Sequence, residues 1–120
     1  QSLKIDQLFL IGDKREYLTA IIIPNKENLQ EAFKLTESFF QKPEVFIKEK
    51  EIIDWIGQDI KKFSGELAKF ERIKNFKVKR NPFSIEEGEI TPTLKAKRKV
   101  LEKKYADAIN EMYTESVEAD

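Results

Sequence analysis

Leu8-Phe9-Leu10-Ile11-Gly12-Asp13-Lys14-Arg15-Glu16-Tyr17-Leu18-Thr19-Ala20-Ile21-Ile22-Ile23-Pro24 is the stretch that decides the fold. Two apolar runs, Gln7 to Gly12 and Tyr17 to Ile23, flank a polar turn that begins with a glycine. Two runs of this kind across a short loop read as an antiparallel β-hairpin. Both are nearly continuous in apolar side chains, which predicts a sheet covered on both faces. Pro24 closes the second run. Lys14, Arg15 and Glu16 at the tip read as a solvated turn, with partner contact as the alternative.

Downstream of the hairpin, Asn25 can cap a helix from Lys26 to about Lys34, with Leu29, Ala32 and Phe33 on one face. Thr36 to Lys42 reads as a linker whose Phe39-Phe40 pair packs locally. Pro43 suits the first turn of a second helix. Ile52, Ile53, Ile56, Ile60, Phe63 and Leu67 keep helical spacing there, and Val45 and Phe46 extend it backwards. The spacing predicts a helix from about Glu44 to Leu67, roughly 35 Å long, with a break near Ser64-Gly65 and Trp55 at the core edge. Phe70 to Asn75 reads as a connector. Alternation from Phe76 through Val78 towards Arg80 predicts a third strand, with Lys77 and Lys79 on a wet face. Asn81-Pro82-Phe83 stops it.

A second decisive stretch is Glu87-Gly88-Glu89-Ile90-Thr91-Pro92-Thr93-Leu94-Lys95-Ala96-Lys97-Arg98. Gly88 supplies a joint able to take positive φ. Pro92 fixes its own φ and pushes Thr91 towards an extended conformation. Thr93 is placed as the N-cap of a helix beginning near Leu94, which puts Lys95 in the first turn, against the helix dipole. Ile90 can pair briefly in a small hairpin. Free N–H groups beside a lysine suit an anion such as phosphate. From Leu94 to Tyr113 the positions Leu94, Leu101, Tyr105, Ala108, Ile109 and Met112 give an amphipathic helix with room for a kink. The tail from Thr114 to Asp120 is expected to fray. Composition alone does not lift Lys95 above Lys97, Arg98 and Lys99, and a solvated basic helix face accounts for all four.

At 120 residues the chain is one domain by length. Lys+Arg and Asp+Glu both total 22, so no net charge draws it to nucleic acid or an anionic membrane. Without cysteine or histidine, disulfides, Ser-His-Asp catalysis and Cys-His catalysis are all excluded, and a zinc site is disfavoured. No metal ligand set is read. No phosphate-binding glycine loop is present either. A cytoplasmic protein is expected. The residues thus describe a small α+β domain: an N-terminal β-hairpin plus a third strand in a three-stranded sheet, packed with about three helices.

Gly88-Glu89-Ile90-Thr91-Pro92-Thr93-Leu94-Lys95-Ala96-Lys97-Arg98-Lys99 resembles the C-terminal signature of long-chain acyl-CoA synthetases, members of the adenylate-forming superfamily. Ile11 to Ala20 with Ile23-Pro24-Asn25 resembles the strand-turn-strand that opens the same small domain, and Phe70 to Phe76 the segment before its next strand. The matches follow the family's order and span most of the chain. The resemblance implies a mobile C-terminal lid domain of a long-chain fatty-acid:CoA ligase, its large N-terminal domain absent. ATP and a fatty acid would first give acyl-adenylate and pyrophosphate; coenzyme A would then displace AMP as the lid rotates.

By position in the motif the catalytic lysine for the first step is Lys95, with Gly88, Thr91, Pro92 and Thr93 positioning the corner. Lys97, Arg98, Lys99 and Arg15 become candidates for contact with CoA or the large domain, with Lys103 and Lys104 beside them. Partners implied are that large domain, long-chain fatty acid, ATP with Mg2+, and CoA. None is expected bound to the lone domain, which should be inactive by itself, and the parent is compatible with peripheral membrane association. The competing reading is a non-catalytic phosphate- or protein-binding module. A nucleic-acid binder is disfavoured by the charge balance.

Overall fold

The apolar runs form strands in the computed structural model, which describes residues 3–12, 17–64 and 73–119, the backbone alone for 63, 64 and 115–119. β1 (Ile5–Ile11) and β2 (Leu18–Pro24) pair antiparallel, with Leu8 opposite Ile22 and Leu10 opposite Ala20. The turn residues Lys14, Arg15 and Glu16 lie outside the described residues. β3 (Ile73–Val78) runs parallel to β2, with Ala20 opposite Phe76 and Ile22 opposite Val78, giving the order β1-β2-β3. A parallel neighbour needs a long crossover, and α1 (Lys26–Phe33), α2 (Glu37–Phe40) and α3 (Lys50–Ser64) lie within it. β2 is the central strand and is buried from Thr19 to Pro24. Ala20 and Ile22 join one core with Leu29, Phe40, Ile56 and Val78. Phe9, Ile11, Ile21 and Ile23 point to the opposite face and are also buried. Both faces are therefore covered, as the continuous apolar runs imply.

α1 begins as its cap predicts: Asn25 Oδ1 accepts from the Asn28 N–H at 3.0 Å. Leu29 is buried and Phe33 half-buried, but Ala32 is exposed. The stretch Thr36 to Lys42, read as a linker, contains the single-turn helix α2. Phe39 and Phe40 drive it, both buried and edge-to-face at 5.1 Å. Trp55 sits at the core edge as expected, with Phe33 edge-on at 5.7 Å and the Lys4 ammonium 5.0 Å above its ring.

The second long helix starts at Lys50, not Glu44. Residues 45–47 are spent on strand pairing instead. The Ile47 N–H donates to the Val78 carbonyl and the Arg80 N–H to the Val45 carbonyl, both at 2.8 Å, while Phe46 bridges Lys79. Extended pairing along β3 competes with helix formation and wins, so Pro43 precedes a strand-like segment. α3 keeps the predicted stripe, with Ile52, Ile56 and Ile60 buried. It is described as far as Ser64; the expected break at Gly65, and Leu67, lie outside the described residues. The same pairing corrects the wet face assigned to β3. Lys79 is only 7% exposed, its ammonium donating to the Asn81 carbonyl at 2.7 Å, and Lys77 lies over the Phe46 ring. β3 also begins earlier than expected, at Ile73, within the supposed connector.

Gly57 is an avoidable weakness in α3. A Cβ there would meet Phe76 Cζ at 3.5 Å, ordinary van der Waals contact. Gly57→Ala is therefore expected to stabilise the chain by roughly 0.5–1 kcal/mol, read as a higher midpoint in urea. A lower midpoint would show that Phe76 cannot accommodate the methyl.

Length suggests one domain, yet the chain groups into two compact units, Gln1–Asn81 and Pro82–Asp120. Pro82 lacks an N–H and cannot continue the pairing of the strand before it. In the second unit the helix expected from Leu94 to Tyr113 is two helices, α4 (Arg98–Lys104) and α5 (Ala106–Ala119). They break at Tyr105, whose N–H still donates to the Leu101 carbonyl at 2.9 Å. Leu101, Tyr105, Ile109 and Met112 are buried as their spacing predicts. The backbone stays helical to Ala119, across the stretch expected to fray. Among the described residues no helix is long and apolar enough to cross a membrane. The α+β class and the three-stranded sheet stand, with five helices among the described residues.

Candidate active-site hairpin

Thr91-Pro92-Thr93-Leu94 closes a β-turn, the Leu94 N–H donating to the Thr91 carbonyl at 2.8 Å. Proline in the second position suits this turn because its φ is already set. Leu94 then enters the left-handed region at φ 64. Beyond it the arms pair: the Thr91 N–H donates to the Lys95 carbonyl at 2.9 Å, Ile90 lies opposite Ala96, and the Lys97 N–H donates to the Glu89 carbonyl at 2.9 Å. Pro92-Thr93-Leu94 is thus the three-residue loop of a small hairpin, a turn followed by one left-handed residue. The Lys95 N–H also donates to Thr91 Oγ1 at 3.0 Å, and the Thr91 and Thr93 hydroxyls share a hydrogen bond of 3.0 Å. Gly88 takes φ 73 before the first arm, as its position in the motif predicts.

This geometry corrects the helix start. A left-handed Leu94 cannot open a helix, so Thr93 is a turn residue rather than an N-cap. α4 starts at Arg98, flanked by Lys97 with no side-chain cap. Lys95 stands in the second arm of the hairpin, and the opposing helix dipole does not act on it as a first-turn residue. Its side chain is exposed, and among the described residues no acceptor engages its ammonium.

The other candidates differ in kind. Lys97 and Lys99 are exposed at the start of α4. Arg98 is also exposed and pairs with Glu102 at 3.7 Å one turn on, an exposed contact of small energetic weight. Lys104 is engaged, its ammonium 2.9 Å from Glu87 and 3.0 Å from Glu89, and the hydrogen bond to Glu87 is the first cause of its raised pKa. Arg15 lies outside the described residues.

Two residues that the sequence did not single out shape the hairpin. Glu89 is 1% exposed, and its carboxylate accepts from the Ser84 N–H at 2.9 Å, from Lys104 and from the Tyr105 hydroxyl. Burial first, then the Glu89 carboxylate, pushes the Tyr105 phenol well above its ordinary pKa and keeps it a donor. Nothing in the sequence pairs Glu89 with Tyr105; one reads as an acidic turn residue and the other as an apolar helix position. Leu94 is 62% exposed despite its left-handed backbone. That conformation costs a non-glycine residue about 1–2 kcal/mol. Leu94→Gly is expected to stabilise the chain by up to about 1 kcal/mol, after glycine's larger unfolded-state entropy is subtracted. Chemical denaturation checks this, and a clear destabilisation would mean that the Leu94 side chain has packing value in this chain.

The first unit holds the three-stranded sheet, and the second holds a proline-containing hairpin with an exposed lysine in its second arm. The chain belongs to the AMP-binding enzyme C-terminal domain family, whose profile matches residues 1–117. It is 34% identical over 115 residues to long-chain-fatty-acid–CoA ligase 5 of Mus musculus, covering 93% of this chain and 16% of that protein. Identity to the enzyme of the same name from Rattus norvegicus is 35% over 121 residues, covering 98% of this chain and 17% of that one. The probable CoA ligase CCL6 of Humulus lupulus is 34% identical over 119 residues, covering 96% and 18%. The chain therefore spans under a fifth of the length of these relatives.

Among solved structures, its fold is similar to that of the A-PCP didomain of carboxylic acid reductase from Segniliparus rugosus in complex with AMP. That likeness has a TM-score of 0.70 at 20% identity and covers 96% of this chain and 14% of the other. The adenylation domain of a carboxylate reductase from Mycobacterium chelonae gives 0.61 at 25% identity, covering 92% and 16%.

Proposed function

We propose that this chain is the small domain of a long-chain fatty-acid:CoA ligase and that Lys95 serves the adenylation step. The observation that carries the reading is an exposed ammonium with no partner among the described residues, on a proline-stiffened hairpin in a domain whose relatives include long-chain ligases. In the first half-reaction a fatty-acid carboxylate oxygen attacks the α-phosphorus of ATP and the bond to the bridging oxygen of pyrophosphate breaks. Negative charge grows on the α-phosphoryl and bridging oxygens. A preplaced ammonium stabilises that charge more in the transition state than in the ground state. Lys95 need not transfer a proton. Its reach is set by the hairpin: Pro92 fixes the turn, Thr91 clamps Lys95 through main chain and hydroxyl, and Thr93 braces Thr91.

The remainder of the ligase supplies the ATP and fatty-acid sites. For the second half-reaction the domain rotates, withdrawing Lys95, and the CoA thiol displaces AMP from the acyl-adenylate. Lys97, Arg98 and Lys99 then meet the phosphates of CoA or the large domain. No residue here is assigned to the Mg2+ that accompanies ATP; among the described residues no group of three or more His, Cys, Asp or Glu could hold a metal.

Fatty-acid-dependent ATP–pyrophosphate exchange tests the division of labour. The full ligase should show exchange, the ligase lacking this domain should lose it, and the isolated chain should have none. Exchange by the isolated chain, or undiminished exchange without it, overturns the proposal. Undiminished exchange without it would favour a docking module without chemistry.

A further inference from the structure

We propose that Glu89 is a positioning residue for adenylation: its buried carboxylate locks the base of the hairpin and thereby fixes where Lys95 is delivered. The inference rests on the Lys95 reading above. Glu89 is the point at which the local structure is tied together. Its N–H donates to the Ser84 carbonyl at 3.0 Å and its carbonyl accepts from the Lys97 N–H at 2.9 Å. One carboxylate oxygen accepts from the Ser84 N–H at 2.9 Å; the other takes the Tyr105 hydroxyl and the Lys104 ammonium, the latter at 3.0 Å. One residue therefore joins the loop at Ser84, the second arm at Lys97 and the end of α4 at Lys104 and Tyr105.

Register carries this fixation to the catalytic group. Glu89 meets Lys97, the next rung pairs Ile90 with Ala96, and the one after joins Thr91 to Lys95. With the base held, the tip has little freedom, because Pro92 and the Thr91 contacts stiffen the remainder. Burying a carboxylate is costly unless it is fully hydrogen-bonded, so a charged residue here needs an account. A role limited to filling space would be met more cheaply by an apolar side chain. A charge-assisted clamp holds three separate donors in a defined geometry. Displacement of a catalytic group by about 1 Å can cost on the order of 10²-fold in rate.

Glu89→Gln and Tyr105→Phe in the full ligase test this. Glutamine keeps the shape but turns an amide donor towards donors. Phenylalanine removes one hydroxyl and keeps the ring beside Phe83, 6.2 Å away. Each variant is expected to lower kcat for acyl-adenylate formation by about 10–100-fold. KM for ATP and thioester formation from supplied acyl-adenylate should hardly change. Because Glu89 acts through Lys95, the double variant Glu89→Gln/Lys95→Ala should be no slower than Lys95→Ala alone. If both half-reactions fall together, or if the double variant shows multiplied losses, Glu89 is structural or acts elsewhere and the inference is overturned. If Lys95→Ala abolishes adenylation while Glu89→Gln and Tyr105→Phe spare it, this inference alone fails. If Lys95→Ala spares adenylation, the reading of the hairpin fails and this one with it.

Discussion

Lys95→Ala is expected to slow acyl-adenylate formation by about 10²–10³-fold, the loss typical of one preorganised group aimed at developing charge. The effect should fall on kcat, with KM for ATP nearly unchanged, because the contact strengthens only as charge builds in the transition state. Lys95→Arg should recover a minor part of the rate. It keeps the charge, but a planar guanidinium places its donors differently from a compact ammonium. The turn at Thr91-Pro92-Thr93-Leu94 leaves little backbone freedom to correct the mismatch. Fatty-acid-dependent ATP–pyrophosphate exchange reads the rate. A rise in KM with kcat intact would make Lys95 a binding contact.

Arg80→Leu is expected to destabilise the chain by on the order of 2–5 kcal/mol. Arg80 is 4% exposed, and its guanidinium donates to the Glu44 carbonyl at 2.9 Å and the Phe39 carbonyl at 3.0 Å. It also lies 4.6 Å above the Phe39 ring. Leucine would fill part of the space and leave both carbonyls without their donor. The Phe39 carbonyl is buried, and leaving it unsatisfied costs about 1–3 kcal/mol; Glu44 is exposed, so water can reach its carbonyl, and losing the cation–π contact costs about 0.5–2. Against a typical domain stability of about 5–15 kcal/mol this is a large fraction. Arg80→Lys should fall between, since one ammonium cannot reproduce the two-armed fork. Urea unfolding of the three proteins gives the order directly; equal midpoints would mean that water replaces the guanidinium without cost.

The sheet was legible where the signal is local. Ile21-Ile22-Ile23 announces a strand buried on both faces, Asn25 announces a cap, and Ile52, Ile56 and Ile60 announce a helix stripe. Local spacing fails where distant backbone decides the outcome. Val45, Phe46 and Ile47 continue a helical spacing but pair with residues 78–80, and this pairing buries Lys79 and Arg80. Length gave no hint of two compact units.

At the candidate site, glycine and proline chemistry correctly placed a stiff corner at Gly88 and Pro92. Leu94 takes a left-handed conformation usually left to glycine, which nothing in its local sequence announces, so a hairpin stands where the spacing predicts a helix start. Lys95 itself was separable from Lys97, Arg98 and Lys99 only through the family signature. In the structure all four are exposed, and what distinguishes Lys95 is its place next to the turn, held by Thr91 through main chain and hydroxyl. Glu89 was invisible as a buried group because its partners Lys104 and Tyr105 lie on α4 and at its end, far along the chain.

On the proposed reading the Lys95 ammonium serves one half-reaction and not the other. Both can be followed in the Lys95→Ala full-length ligase: acyl-adenylate formation from ATP and fatty acid, and acyl-CoA formation from supplied acyl-adenylate. A collapse of the first with the second near the unsubstituted rate is the predicted result. Equal losses in both would contradict it.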